Sequence, residues 1–187
     1  MDSGASNPPD GPDISRNRSA CKYTRAEQVR RVLWMAGQVL FRLSPRPCFS
    51  FRRWLLRRFG AVVGREVNLY PSTHIYFPWN FEIGNWSSVG EWALIYNLGR
   101  VTIGKKVTIS QRAHLCAGTH DFRDPAMPLI KSSITVKDGV WICADAFVGP
   151  GVIIETGAVL GARAVVVRDV GAGLIMAGNP VHCIGKR

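Results

Sequence analysis

Between Val136 and Asp169 a bulky aliphatic residue recurs at every sixth position: Val136, Ile142, Val148, Ile154, Leu160 and Val166. A helix repeats its buried face about every 3.6 residues and a strand about every 2, so this longer beat demands a structural repeat larger than either. The fourth residue after each is small or β-branched: Val140, Ala146, Val152, Ala158, Ala164 and Val170. Each hexapeptide thus supplies one large and one smaller inward side chain, with Gly139, Gly151 and Gly157 in the turns between.

Such a hexapeptide is one side of a triangular coil. Three sides close a coil of about 18 residues, and only stacked coils bury a continuous aliphatic column. The predicted fold is therefore mainly β, a parallel β-helix of hexapeptide repeats with a helical extension ahead of it. Upstream the same beat runs through Ile83, Val89 and Ile95, slips by two residues around 96–100, and resumes at Ile103, Ile109 and Leu115. From Val67 to Phe81 it is irregular, with Pro71 and Pro78. After Leu115 the next phased residue is Val136, so about 15 residues, 119–133, leave the coil as a loop. A loop that long on an economical solenoid is usually functional, and His120 sits at its root.

Charge divides the chain of 187 residues. Residues 15–66 hold thirteen Arg and Lys against Glu27 and Glu66, whereas 67–187 hold eleven against eight acids, within a net charge of +11. The expected organisation is a disordered segment over 1–21, a basic amphipathic helical extension over 22–66 and the β-helix over 67–187. The acidic, Pro/Gly-rich first fifteen residues lack the apolar run of a secretory signal. The first expected helix, 22–43, carries an apolar stripe of Val29, Val32, Leu33, Ala36, Leu40 and Leu43, which Trp34, Met35, Val39 and Phe41 widen. A second, 48–59, interleaves Phe51, Trp54, Leu55, Leu56 and Phe59 with Arg52, Arg53, Arg57 and Arg58.

Two readings of these helices stay open: a cap over the exposed first coil, or an interfacial pair on an anionic membrane. The apolar run Val32–Phe41 is shorter than the roughly 20 residues that span a bilayer. No nucleic-acid-binding motif accompanies the charge, so nucleic acid is not an expected partner. Cys21, Cys48, Cys116, Cys143 and Cys183 show no pairing pattern, which fits reduced thiols in a cytoplasm.

Of the histidines His74, His114, His120 and His182, only His120 joins a long loop to a rigid coil, beside Asp121 and close to Asp124. An imidazole titrates near neutrality. Oriented by a carboxylate or carbonyl on one nitrogen, it can take a proton from a hydroxyl with the other. There is no GxSxG elbow, and Cys116 and Cys143 lie in no Cys/His nucleophile motif, so direct transfer is expected rather than a covalent intermediate. His114 and His120 lie six residues apart, on successive sides of the triangle, without a third histidine at ligand spacing. That argues against a zinc-dependent β-helical carbonic anhydrase, and no metal is expected. A non-catalytic solenoid scaffold is the other alternative.

Thr119-His120 with its loop, Ile134-Thr135-Val136 and Val140-Trp141-Ile142 resemble the hexapeptide-repeat acetyltransferases of the galactoside, maltose and nodulation-factor type. Pro78-Trp79-Asn80, Tyr96-Asn97, Asp124-Pro125, Pro128-Leu129 and Gly178-Asn179-Pro180 are closer to colanic-acid-type exopolysaccharide O-acetyltransferases. The resemblance implies a left-handed coil and an acetyl group carried from acetyl-CoA to a sugar hydroxyl of an exopolysaccharide or its lipid-linked precursor. It further implies a homotrimer with acetyl-CoA between neighbouring coils, in the cytoplasm or peripheral at the inner face of the cytoplasmic membrane. Position by position, His120 is the implied general base and Trp141 stands beside the active site. Ala144 and Ala162 meet the pantetheine arm, and Val167 and Arg168 lie near its nucleotide end. Asn97 and Asp121 fall on the acceptor side. His182 stands where the sugar acetyltransferases have an arginine.

Overall fold

The structure, a computed structural model, describes residues 11–187. It is a triangular parallel β-solenoid of about six coils. Face 1 stacks Val62–Val63, Phe81–Ile83, Val101–Ile103, Ile134–Val136 and Ile153–Ile154. Face 2 stacks six parallel strands from Asn68–Leu69 to Leu174–Ala177, which the antiparallel strand His182–Lys186 then extends. Face 3 stacks His74–Ile75, Leu94–Tyr96, His114–Cys116, Phe147–Val148 and Val165–Val166.

The phased residues point inward. Ile83, Val89, Ile95, Ile103, Ile109, Leu115, Val136, Ile142, Val148, Ile154, Leu160 and Val166 are all buried in one column, with the small slot filled by residues such as Ala113, Ala146 and Ala164. Because each strand pairs with its counterpart one coil on, register fixes coil length. Val63 pairs with Ile83 and Ile83 with Ile103, 20 residues apart; Val136 pairs with Ile154, 18 apart. Between them Ile103 pairs with Val136, 33 residues on, which is 15 more than the regular coil and equals the extruded loop. The column also starts earlier than expected. Val63, Leu69 and Ile75 already keep the six-residue beat, so the first coil begins with the strand Val62–Val63 rather than at residue 67.

The turns from face 1 to face 2 each need a left-handed residue: Glu66, Trp86, Lys106, then Gly139, Gly157 and Gly173 all have positive φ. Only the later turns use the residue for which that region is unstrained, which is why the glycine signal is confined to the later coils.

The helical extension contains three helices. α1, Ile14–Ser19, lies inside the span expected to be disordered and is capped by the Asp13 carboxylate, which accepts from the Arg16 N–H. Residues 1–10 of that span lie outside the described residues. α2, Arg25–Leu43, starts at a reciprocal cap between Thr24 and Glu27; α3 is Phe49–Arg58. Of the apolar stripe of α2, the aromatic side faces the solenoid and the aliphatic side does not. Trp34, Gly37 and Phe41 are buried, while Val32, Leu33 and Leu43 are 65, 58 and 76% exposed. Gly37 permits the close approach, because a Cβ there would come within 2.7 Å of the Trp34 ring and 2.9 Å of the Phe59 ring.

What α2 and α3 give the solenoid is donors. The first coil has no coil before it, so its inward-residue carbonyls lack strand partners, a costly state for buried backbone. Arg57 donates to the carbonyls of Val63 and Gly64, Arg53 to Val67 and Arg52 to Leu69. Gln38 donates to Thr73 O at 3.3 Å and Trp34 Nε1 to Ile75 O at 2.7 Å. Arg52 is fully buried, and its guanidinium also donates to Ser44 Oγ and to the carbonyls of Pro45 and Arg46. Three of the four α3 arginines are thus spent on backbone carbonyls and reach the first coil, as the cap reading has it; Arg58 is exposed.

Arg52→Leu strands the Leu69, Pro45 and Arg46 carbonyls together, and its expected cost is about 2–4 kcal/mol in urea unfolding. Arg58→Gln should stay within about 0.5 kcal/mol of the parent.

Candidate active site

All the irregular chain lengths fall at one corner, between faces 3 and 1. In the first two coils that corner holds the added residues around 77–80 and 97–100; in the third it holds the long loop. The loop is a hairpin, with Gly118–His120 antiparallel to Leu129–Lys131 and His120 opposite Leu129. It leaves directly from the face 3 strand His114–Cys116, so a buried, register-locked strand sets the direction of His120.

His120 is exposed, and its Nδ1 lies 2.7 Å from the Met127 carbonyl oxygen across the hairpin. A carbonyl only accepts, so Nδ1 carries the proton in this contact and the neutral ring keeps its lone pair on Nε2. The orienting group is a carbonyl, not a carboxylate. Asp121 Oδ1 accepts from the Arg123 N–H and Asp124 Oδ1 from the Ala126 N–H, so both aspartates cap turns of the hairpin tip.

Asn97 corrects one expectation. It is fully buried in the widened corner of the second coil; its Oδ1 accepts from the Phe77 N–H at 3.0 Å and its Nδ2 donates to Phe77 O at 2.6 Å. Asn80 Nδ2 reaches back to the carbonyls of Asn97 and Leu98. With both amide atoms bonded to Phe77 and the side chain fully buried, Asn97 holds the corner together and presents no polar atom at the surface.

The remaining expected residues separate into two edges of one chain. Val167 and Arg168 are exposed at the same corner as the hairpin, two coils further on, with Gly149 between them and the hairpin coil: a Cβ on Gly149 would lie 3.3 Å from Val167. Trp141 lies on face 2, half-exposed, its indole donating to Ser110 Oγ at 3.0 Å. Ala144 and Ala162 occupy equivalent places one coil apart at the corner between faces 2 and 3, where Arg163 N–H bonds to Ala144 O. Face 3 therefore stands between His120 and the pair Ala144 and Ala162 within one chain.

His114 sits on the outside of face 3 with its ring edge-on to Phe147 at 5.2 Å, and burial holds its pKa below the ordinary imidazole value. His182 is exposed in the terminal hairpin. Among the described residues no group of three or more His, Cys, Asp or Glu is placed to hold a metal ion. None of the described helices is long and apolar enough to cross a membrane.

No family model matches the sequence. The chain is 38% identical over 160 residues to a protein of Escherichia coli K12 named as the colanic acid biosynthesis acetyltransferase WcaF, covering 85% of this chain and 88% of that one. The chain belongs to the hexapeptide-repeat acetyltransferases. Two solved structures have the same solenoid at low identity. A galactoside acetyltransferase in complex with coenzyme A superposes with TM-score 0.82 at 21% identity, over 94% of this chain and 90% of that one. The hexapeptide-repeat acetyltransferase VCA0836 of Vibrio cholerae, complexed with acetyl-coenzyme A, gives 0.81 at 22%, over 89% and 91%.

In this acetyltransferase two residues of the hairpin region escaped the sequence reading. Met127, left-handed at φ 44°, supplies the carbonyl that orients His120, and Asn17 of α1 donates to that same oxygen. A backbone carbonyl leaves no residue-type signal. Asn17 lies 110 positions from Met127 in a segment without apolar periodicity.

Proposed function

We propose that this acetyltransferase moves the acetyl group of acetyl-CoA to a sugar hydroxyl of an exopolysaccharide or its lipid-linked precursor, with His120 as general base. The observation that carries the reading is the 2.7 Å contact between His120 Nδ1 and Met127 O, which leaves the Nε2 lone pair available on an exposed ring. Nε2 takes the proton of the acceptor hydroxyl as its oxygen attacks the thioester carbonyl carbon. When the tetrahedral intermediate collapses, the C–S bond breaks and the CoA thiolate recovers that proton from Nε2. The histidine is restored without an acyl-enzyme. The choice of a sugar hydroxyl rests on the likeness to a colanic acid biosynthesis enzyme.

The working unit in this reading is a homotrimer. Within one chain, face 3 separates His120 from Trp141, Ala144 and Ala162, so a groove between copies is the arrangement that joins a base-bearing edge to a donor-binding edge. Arg168 lies at the base-bearing corner, and through it that edge reaches the nucleotide end of acetyl-CoA.

Association with the cytoplasmic face of the inner membrane, where lipid-linked saccharides are assembled, would use the outer stripe of α2 rather than the arginines of α3. Val29, Val32, Leu33, Leu40 and Leu43 are all exposed there, with Arg25 on the same helix.

His120→Ala is expected to lower turnover about 10²- to 10⁴-fold and to leave acetyl-CoA affinity unchanged; His114→Ala should keep nearly parental turnover. Equal losses in the two variants would refute the base assignment. For the membrane, Leu33→Ser with Leu40→Ser should weaken sedimentation with anionic vesicles while transfer to a soluble glycoside persists. Vesicle binding equal to the parent's would contradict the α2 surface.

A further inference from the structure

The hairpin tip ends in a turn in which the Met127 N–H bonds to Asp124 O at 2.8 Å and the Ala126 N–H to Asp124 Oδ1 at 2.8 Å. In and after this turn stand three consecutive carbonyls, those of Pro125, Ala126 and Met127. All three are met by the segment that carries α1. The Asp13 N–H donates to Pro125 O at 2.7 Å; Asn17 Nδ2 donates to Ala126 O at 2.7 Å and to Met127 O at 2.8 Å. The Asn17 amide cannot be the other way round, because its Oδ1 accepts from Lys22 Nζ at 2.7 Å. The loop closes on itself, since the Lys22 carbonyl accepts from Lys131 Nζ on the returning strand of the hairpin.

We propose that Asn17 is a positioning residue for His120, acting through the Met127 carbonyl. The proposal rests on the reading of His120 as the general base. A carbonyl oxygen has two lone pairs, and Met127 O uses one for Asn17 Nδ2 and the other for His120 Nδ1. Met127 is held at a positive φ that a side-chain-bearing residue adopts only when its surroundings impose it, and Asn17 bonds the carbonyl of this residue and of the one before it. Without that clamp the peptide following Met127 can rotate, its oxygen leaves Nδ1, and the imidazole loses both its fixed plane and its fixed tautomer. Misplacing a catalytic group by about 1 Å can lower the rate by about 10²-fold. The extension ahead of the solenoid is in this account part of the catalytic apparatus, although it contributes no atom to the reaction.

Two substitutions in the full chain test this. Asn17→Ala removes the donor; Asn17→Asp keeps the size and the Lys22 contact but turns a carboxylate oxygen toward the two carbonyls. Turnover is read as thiol released from acetyl-CoA with a soluble hexose glycoside as acceptor, and the His120 tautomer from the ¹⁵N shifts of its ring nitrogens. Both variants are expected to lower kcat about 10- to 100-fold with KM for acetyl-CoA unchanged, and to replace the single Nδ1–H signature by a mixture. In a His120→Ala background Asn17→Ala should cost nothing further, because the clamp acts only through the ring. Parental kcat in both Asn17 variants, an unchanged ¹⁵N signature, or a further loss in the double variant as large as in the single one would each overturn the clamp. Full activity in His120→Ala would instead overturn the general-base reading beneath it, an outcome visible without any change at Asn17.

Discussion

Register between coils is the constraint on which everything else in this molecule depends. Each inward side chain must lie over its counterpart one coil away, because the same parallel hydrogen bonds that stack the strands also align the column of Ile, Leu and Val. A coil can therefore gain residues only where no strand is being paired, at a corner. The two 20-residue coils and the 33-residue coil all place their surplus at the corner between faces 3 and 1. A hairpin extruded there inherits the rigidity of the strand it leaves, which is how His120 acquires a fixed direction while remaining exposed.

A second constraint follows from the first. A solenoid end and a hairpin tip both leave backbone carbonyls with no strand to accept from, and the N-terminal extension supplies donors to both. Arg52, Arg53, Arg57, Gln38 and Trp34 serve the first coil; the Asp13 N–H and Asn17 serve the tip. Guanidinium suits the task because it presents several donors in a rigid fork and can be buried with its charge spread over carbonyl dipoles. Burial draws the Arg52 pKa below the ordinary guanidinium value. The basic character of the extension is thus partly structural, which separates it from the apolar stripe that α2 leaves exposed.

The solenoid was legible because its signal is redundant: twelve phased positions from Ile83 to Val166 agree, and the surplus after Leu115 gives the hairpin its length. The first coil was hidden although Val63, Leu69 and Ile75 keep the beat, since Phe81 continues the spacing of six and the added corner residues then shift the phase to Ile83. The orientation of α2 was hidden for a different reason. Its stripe of small aliphatics outnumbers Trp34 and Phe41, but two large aromatics beside a glycine fit the solenoid end and the aliphatics do not displace them. Of the site, the position of His120 could be read from the interruption of a repeat. Its partner could not, because the partner is a main-chain oxygen, and Asn97 misled because an amide looks the same in sequence whether it faces a sugar or brackets a peptide.

If one copy brings the proposed base and another the proposed donor site, two inactive proteins should complement each other when mixed. His120→Ala chains lack the proposed base; Ala162→Trp chains block the proposed donor edge at an exposed turn. Unfolded together and refolded, a random assembly contains intact edges facing each other at about a quarter of its interfaces, and thiol release from acetyl-CoA should recover to about that fraction of the parent. A mixture that assembles but stays as inactive as its components would contradict a site shared between copies.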